Sequence, residues 1–214
     1  MSPLRFTLVA DGPTDAVLLH PLRWLLIDTG VKRPIEPFWA DLRRMPNPPT
    51  RLQDRIAAAF ELYPCDLIFV HRDAEKSPPS SRIDEIKRAM RSALADVPPY
   101  VCVVPVRMTE AWLLFDEAKI RTAAGNPAGT VKLALPPAQR IEGLSDPKQA
   151  LHKLLQDATE LPARRLQKFS PVQAFYRLAA LIDDFGPLRQ LPAFVALEIE
   201  LQQVVRNAGW SEPS

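Results

Sequence analysis

The sequence predicts an α/β protein in which helices sandwich a parallel sheet and the C-terminal part is helical. Four short runs, at residues 4–10, 35–40, 65–70 and 100–106, have the length and composition of strands. The segments between them have apolar residues at helical spacing. Strands that alternate with helices are typical of a parallel sheet covered on both faces, so the first hundred residues are interpreted as βαβαβαβ.

Turn and cap residues separate each of these strands from the helix that follows it. After the first strand, Thr14 or Asp15 can cap a helix that ends near Gly30. The next two helices, each preceded by a proline-rich connection, are predicted over residues 51–62 and 82–94.

The chain beyond the last strand is predicted to be mainly helical. A helix begins at Thr109, whereas residues 125–144 carry several prolines and little periodicity. Three more helices are then expected, over residues 147–158 (with Asp146 as N-cap), 171–183 and 192–207. We therefore expect an α/β domain at residues 1–124, and at residues 125–214 an irregular connection and C-terminal helices packed on it.

The composition bounds what the protein can be. The 214 residues are 47% hydrophobic, which suits one substantial core, and the net charge of +2 gives no strong overall field for nucleic acid. The two cysteines lie in apolar runs, which argues against a disulfide framework or a thiolate zinc site. The chain starts without an apolar leader, and it contains no apolar stretch of ~18 residues, so we expect a cytoplasmic protein with no membrane partner.

The end of the third strand carries three polar residues at alternate positions, namely His71, Asp73 and Glu75. Alternate residues of an extended segment share one face, so the three side chains are predicted to point the same way. Taken alone, these residues are more typical of the start of a solvated loop.

Acidic residues also follow two other predicted strands. Asp11 and Asp15 follow the first strand, and Glu110 follows the last. Parallel strands end at one edge of their sheet, where ligands bind, so these carboxylates are expected to converge with Asp73 and Glu75. Oxygen ligands of this kind suit Mg²⁺ or Mn²⁺, and a phosphodiester is the natural substrate of such a site.

Three motifs together resemble those of Toprim-fold proteins. They are the acid-glycine turn within residues 9–15, the acidic alternation after the third strand, and the Glu-Ala-Trp-Leu-Leu-x-Asp segment that begins at Glu110. The match looks closest to the small Toprim-like proteins of bacterial phage-defence loci, which are related to the nuclease half of OLD-type enzymes. It covers roughly the first 117 residues, and the Asp-Pro-Lys segment at residues 146–148 is similar to the later part of that family.

The resemblance implies roles for individual residues. It implies that Asp11 acts in proton transfer or metal binding, and that Asp73 and His71 occupy the two positions of an Asp-x-Asp metal motif, with Glu75 and Glu110 as supporting ligands. Two residues depart from the pattern. Asp11 is one methylene shorter than the usual glutamate, and His71 replaces a carboxylate with an imidazole, which suits Mn²⁺ or a transition metal better than Mg²⁺.

The first functional hypothesis is a Mg²⁺- or Mn²⁺-dependent Toprim-type endonuclease that cuts DNA or RNA in anti-phage defence. Its catalytic residues would be Asp11, Asp73 and Glu110, its metal ligands would also include His71 and Glu75, and the resemblance implies an ABC-type, OLD-like ATPase as partner. The alternative is a catalytically degenerate binding or regulatory subunit of such an ATPase complex. A third hypothesis is a phosphatase or phosphoryl-transfer enzyme acting on a small molecule. The sequence contains neither a Walker A loop nor a Gly-x-Ser-x-Gly motif.

Overall fold

The computed structural model describes residues 2–63 and 65–211, and it confirms the predicted α/β class. Within these residues four parallel strands form one sheet with helices on both faces, an arrangement consistent with a Toprim-like fold. The strands are β1 (Leu4–Val9), β2 (Ile35–Trp39), β3 (Leu67–His71) and β4 (Tyr100–Val103). Their order across the sheet is β2-β1-β3-β4.

Helices make up most of the remaining described chain. The α-helices are α1 (Leu19–Asp28), α2 (Leu52–Leu62), α3 (Pro79–Ala93), α4 (Glu117–Ala123), α5 (Ala138–Ile141), α6 (Pro147–Ala158), α7 (Ala163–Leu166), α8 (Pro171–Leu181) and α9 (Pro192–Asn207). Short 3₁₀ helices lie at Pro13–Leu18, Leu42–Arg44, Thr109–Leu113 and Gly186–Gln190. None of the helices that the structure describes is both long and apolar enough to cross a membrane.

Several element boundaries follow the sequence signals closely. Asp146 caps α6 as predicted, because its carboxylate accepts a hydrogen bond of 2.8 Å from the backbone N–H of Gln149. Two predicted helices begin differently. The segments after β1 and after β4 start as 3₁₀ turns, and the first is tightened where the Asp15 carboxylate accepts a 2.8 Å hydrogen bond from the Gly12 N–H. The predicted irregular stretch at residues 125–144 contains the short helix α5.

The sheet separates two hydrophobic cores because successive strand residues point to opposite faces. The smaller core includes Val9, Ile68 and Cys102 and lies under α2 and α3. The larger core includes Phe6 and Phe69, which meet edge to face with ring centroids 5.1 Å apart. It also contains residues of α1, α4, α6, α8 and α9, so the C-terminal helices share one core with the sheet.

The carboxyl edge of the sheet has the topology of a ligand site. The chain leaves β1 towards β2 on one side and later returns to β3 on the other, so β1 and β3 form a topological switch point. The loops after β3 and β4 are joined there, since the Glu75 N–H donates to the Arg107 carbonyl at 3.1 Å. Glu75 and Arg107 both have positive φ, 52° and 64°, which strains non-glycine residues and ends the extended course of both loops.

Candidate functional site

His71 is the centre of a buried polar cluster at the carboxyl edge. It follows Leu67 and Phe69 on the face of β3 that lines the larger core, and it is 1% exposed. Its Nε2 lies 3.2 Å from Asp73 Oδ1 and 3.1 Å from Thr109 Oγ1. Its Nδ1 lies 3.8 Å from Asp15 Oδ2 and makes no hydrogen bond to the described residues.

This setting favours the protonated imidazole. Burial disfavours the imidazolium, but the hydrogen bond and charge of Asp73, with the charges of Asp15 and Asp11, outweigh burial. The pKa of His71 therefore lies above its ordinary value. The ring is held between two carboxylates, one at each nitrogen.

Asp15 and Glu110 supply buried carboxylates to the same cluster. Burial is the main cause that raises the pKa of each above its ordinary value, and the charge of Asp73 raises both further. For Asp15, the charge of His71 and the hydrogen bond from the Gly12 N–H lower the pKa in part. For Glu110, a hydrogen bond from its own backbone and the charge of Lys148, whose Nζ lies 3.8 Å from Glu110 Oε1, do the same. Three strand ends therefore bring carboxylates to one place, where His71 and Lys148 compensate their charge only in part.

Asp11 lies on the other face of the sheet. Val9 pairs with Val70, so continuing this parallel register puts Ala10 beside His71 and Asp11 beside Arg72. The Arg72 Nη1 lies 2.7 Å from each Asp11 oxygen, and the Arg55 Nη1 of α2 lies 2.7 Å from Oδ1. Burial opposes ionisation of Asp11, but the two arginines outweigh it, and its pKa lies below the ordinary value.

A chain of ion pairs continues from Asp11 along this face. Arg72 Nη2 lies 3.1 Å from Glu85 Oε1, and Glu85 Oε2 lies 2.8 Å from Arg82 Nη1. Arg82 then reaches Glu75, with 3.5 Å between Nη2 and Oε2. The Glu75 side chain is 65% exposed, so it ends this chain at the surface.

The sequence analysis named five site residues, and they occupy three environments. His71, Asp73 and Glu110 belong to the buried cluster, Asp11 is held by arginines on the opposite face, and Glu75 faces Arg82 at the surface. Two members of the cluster were absent from that set. Asp15 was expected among the carboxylates at this edge but was not named as a ligand, and its hydrogen bond from the Gly12 N–H holds it there. Thr109 was expected only as a helix start, and its place beside Glu110 could have pointed to the cluster.

The cluster has the donor chemistry of a metal site but not the geometry of one. Its carboxylate oxygens are the donor type that Mg²⁺ and Mn²⁺ prefer, and the raised pKa values of Asp15 and Glu110 mark negative charge that a cation would compensate. In the arrangement described, Asp73 and Asp15 face the two nitrogens of the His71 ring, and Glu110 faces Lys148. Within residues 2–63 and 65–211, no group of three or more His, Cys, Asp and Glu side chains is placed to hold a metal ion. The residues therefore fit a hard cation in donor chemistry, and the side chains would have to turn to ligate it.

The raised pKa of Glu110 predicts that Glu110→Gln stabilises the metal-free protein. Folding favours the neutral form of Glu110. Its contribution to the free energy of unfolding is therefore fully present below its unfolded pKa and is lost as pH rises through its folded pKa. We expect a gain in unfolding free energy of about 0.5–2 kcal/mol at about pH 8, the range of typical stabilising substitutions, and a smaller gain at about pH 5. Thermal denaturation in EDTA measures it. Glu61→Gln, an exposed acid on α2, is the control, and a lower Tm for Glu110→Gln would contradict the expectation.

Comparisons with protein-family models, curated proteins and solved structures gave no match to this chain.

Proposed function

We propose that the protein is a metal-dependent nuclease that hydrolyses phosphodiester bonds of nucleic acid at the His71 cluster. The observation that carries the proposal is that Asp15, Asp73 and Glu110 follow three different strands at one edge of the sheet and act on one another electrostatically, with the pKa values of Asp15 and Glu110 raised by burial and by neighbouring carboxylates. A site with this surplus of buried negative charge is typical of one that binds a cation.

Asp15, Asp73 and Glu110 would hold the cation. A bound Mg²⁺ or Mn²⁺ supplies a polarising charge for the phosphate and lowers the pKa of water. His71 would fix the Asp73 carboxylate through its Nε2, and because its pKa is raised by the neighbouring carboxylates, its protonated ring is the candidate proton donor to a leaving oxygen. Lys148, whose Nζ lies 3.8 Å from Glu110 Oε1, would contact a phosphate oxygen of the substrate.

Two features support nucleic acid as the substrate class. Arginines from α2, the end of β3 and α3 lie at the same edge of the sheet, and arginine forks are well suited to phosphates. The motif order also resembles Toprim-type nucleases, and from that resemblance we propose anti-phage defence and control by a partner ATPase.

The experiment is a cleavage assay with DNA and RNA oligonucleotides in Mg²⁺, in Mn²⁺ and in EDTA. We expect cleavage with at least one of the two metals and none in EDTA, because the carboxylates alone cannot activate water. The same metal should raise the Tm, since a ligand that binds only the folded state stabilises it. Absence of cleavage with both metals, with and without an ABC-type, OLD-like ATPase as the proposed partner, would overturn the proposal.

A second candidate function is a non-catalytic binding subunit of an ATPase complex. It is favoured by two observations: the Asp11 carboxylate is neutralised by two arginines, and both ring nitrogens of His71 face carboxylates. Titration calorimetry with Mg²⁺ and Mn²⁺ separates the candidates. Metal binding by the wild type that Asp73→Ala abolishes favours the nuclease, whereas binding of neither metal favours the subunit.

A further inference from the structure

A cleft of about 280 Å³ lies beside Asp11, at the carboxyl ends of β1 and β2. Its walls include Asp11, Trp39, Arg43, Pro49 and Arg55. The volume lies just below the range of about 300–1,000 Å³ that is usual for small-molecule pockets. The cleft is thus large enough for a single flat group with its substituents, and it is separate from the His71 cluster on the other face of the sheet.

Arg43 presents a fixed guanidinium plane in this cleft. Its carbon Cζ lies 5.1 Å from the centroid of the Trp39 ring, and its Nε and Nη2 donate to the two Asp41 oxygens at 2.7 and 3.0 Å. The Arg43 side chain remains 56% exposed despite these contacts. A guanidinium plane held in this way offers its free face for stacking, and nucleobases stack on arginine planes as they do on aromatic rings.

Arg55 and Arg72 form a ready anion site next to the cleft. They come from different elements and meet on the two oxygens of Asp11, with distances of 2.7 Å. Their side chains are only 16% and 24% exposed, so both arginines are well held, whereas Asp11 is 42% exposed and is the most accessible of the three side chains. The buried Arg72 Nε has no acceptor among the described residues, so this arginine has donor capacity left over.

We propose that this edge of the sheet binds one nucleotide of a single-stranded nucleic acid. The Arg55–Arg72 pair takes a phosphate, and the adjoining cleft takes a base against the exposed face of Arg43. In the free protein Asp11 occupies the two arginines in place of the phosphate, so substrate must displace its carboxylate. The inference rests on the proposed function for its choice of nucleic acid as ligand, and it assigns Asp11 to substrate competition instead of metal binding.

The test is fluorescence anisotropy with a labelled single-stranded oligothymidine in EDTA, where hydrolysis cannot occur. Asp11→Asn removes the competing charge and is expected to tighten binding about three- to tenfold. Arg72→Gln removes a charged hydrogen-bond donor and is expected to weaken binding about tenfold or more. Arg43→Ala should weaken binding about fivefold or more, and the difference should vanish with an abasic strand.

Arg5→Gln is the matched control. Arg5 also forms an ion pair with an aspartate, Asp66, at 3.3 Å, but it lies at the opposite edge of the sheet, and its loss changes the net charge equally. Binding by this variant should stay within about twofold of the wild type. Arg55→Lys keeps the charge and loses the fork, so it repeats the test if Arg72→Gln does not fold, as judged by circular dichroism.

The subsite is overturned if Asp11→Asn binds the strand no better than the wild type, or if Arg5→Gln weakens binding as much as Arg72→Gln. Equal effects of Arg43→Ala on the abasic and complete strands would overturn the base position. The proposed hydrolysis fails separately. If the wild type binds the strand in EDTA but cleaves it with neither metal, only the nuclease proposal is contradicted. If the wild type cleaves the strand but Asp11→Asn binds it no better than the wild type, only the subsite proposal is contradicted.

Discussion

Asp73→Asn is expected to lower metal-dependent cleavage about a hundred- to ten-thousandfold with little change in folding, the loss typical of removing a group that acts directly in the reaction. Asp73 is the central acid of the cluster. It bonds His71 at 3.2 Å, and its charge acts on both Asp15 and Glu110. The substitution keeps the shape and removes the charge, so it isolates the contribution of the negative charge to the reaction. Initial rates at saturating metal, with Tm as the folding check, measure the effect.

Asp54→Asn is the control for this prediction. Asp54 lies on α2, is 41% exposed and pairs with Arg51, so its loss should change neither activity nor stability appreciably. If Asp73→Asn retains the activity of Asp54→Asn, the His71 cluster is not the catalytic site. Asp11→Asn adds a second comparison, because a residue that competes with substrate should change KM more than kcat.

Phe194→Ala is expected to cost about 3–5 kcal/mol of unfolding free energy, the range for truncating a buried phenylalanine. Phe194 of α9 is 0% exposed and meets Trp112 edge to face, with ring centroids 5.3 Å apart. Trp112 belongs to the turn that carries Thr109 and Glu110, so the contact joins the C-terminal helices to the site. Denaturant unfolding followed by tryptophan fluorescence and by circular dichroism measures the loss.

The control for this prediction lies on the same helix. Ile199 of α9 is 58% exposed, and Ile199→Ala should change stability by no more than about 0.5 kcal/mol. Because one core contains residues of the sheet and of α6, α8 and α9, both probes should report one transition. Separate unfolding of the C-terminal helices would contradict a shared core.

The sequence predicted those parts of the fold that depend on local signals. The strands, the helices after β2 and β3 and the cap of α6 follow from apolar period and cap residues that act over a few positions. The segments after β1 and β4 were predicted to begin as α-helices, but they begin as 3₁₀ turns. Their geometry depends on contacts such as the Asp15 carboxylate with the Gly12 N–H, which compete with the ordinary helical spacing.

The candidate site was only partly predictable for the same reason. That acids follow three strands is visible in the sequence, and His71, Asp73 and Glu110 do lie together. The prediction that Glu75 shares a face with His71 and Asp73 is wrong. The positive φ of Glu75 turns its side chain to the surface, where it faces Arg82. No local sequence pattern predicts that a glutamate adopts the left-handed backbone conformation.

By itself the sequence determined the α/β class, the order of elements and the acids at strand ends, because each depends on neighbouring residues. Only the tertiary structure decided which acid joins which face. The strand order placed β1 beside β3, and a register with Val9 opposite Val70 set Asp11 against Arg72 and left Asp15 to face His71. A shift of one residue would exchange the two faces, and that choice is made by long-range packing of the two cores on either side of the sheet.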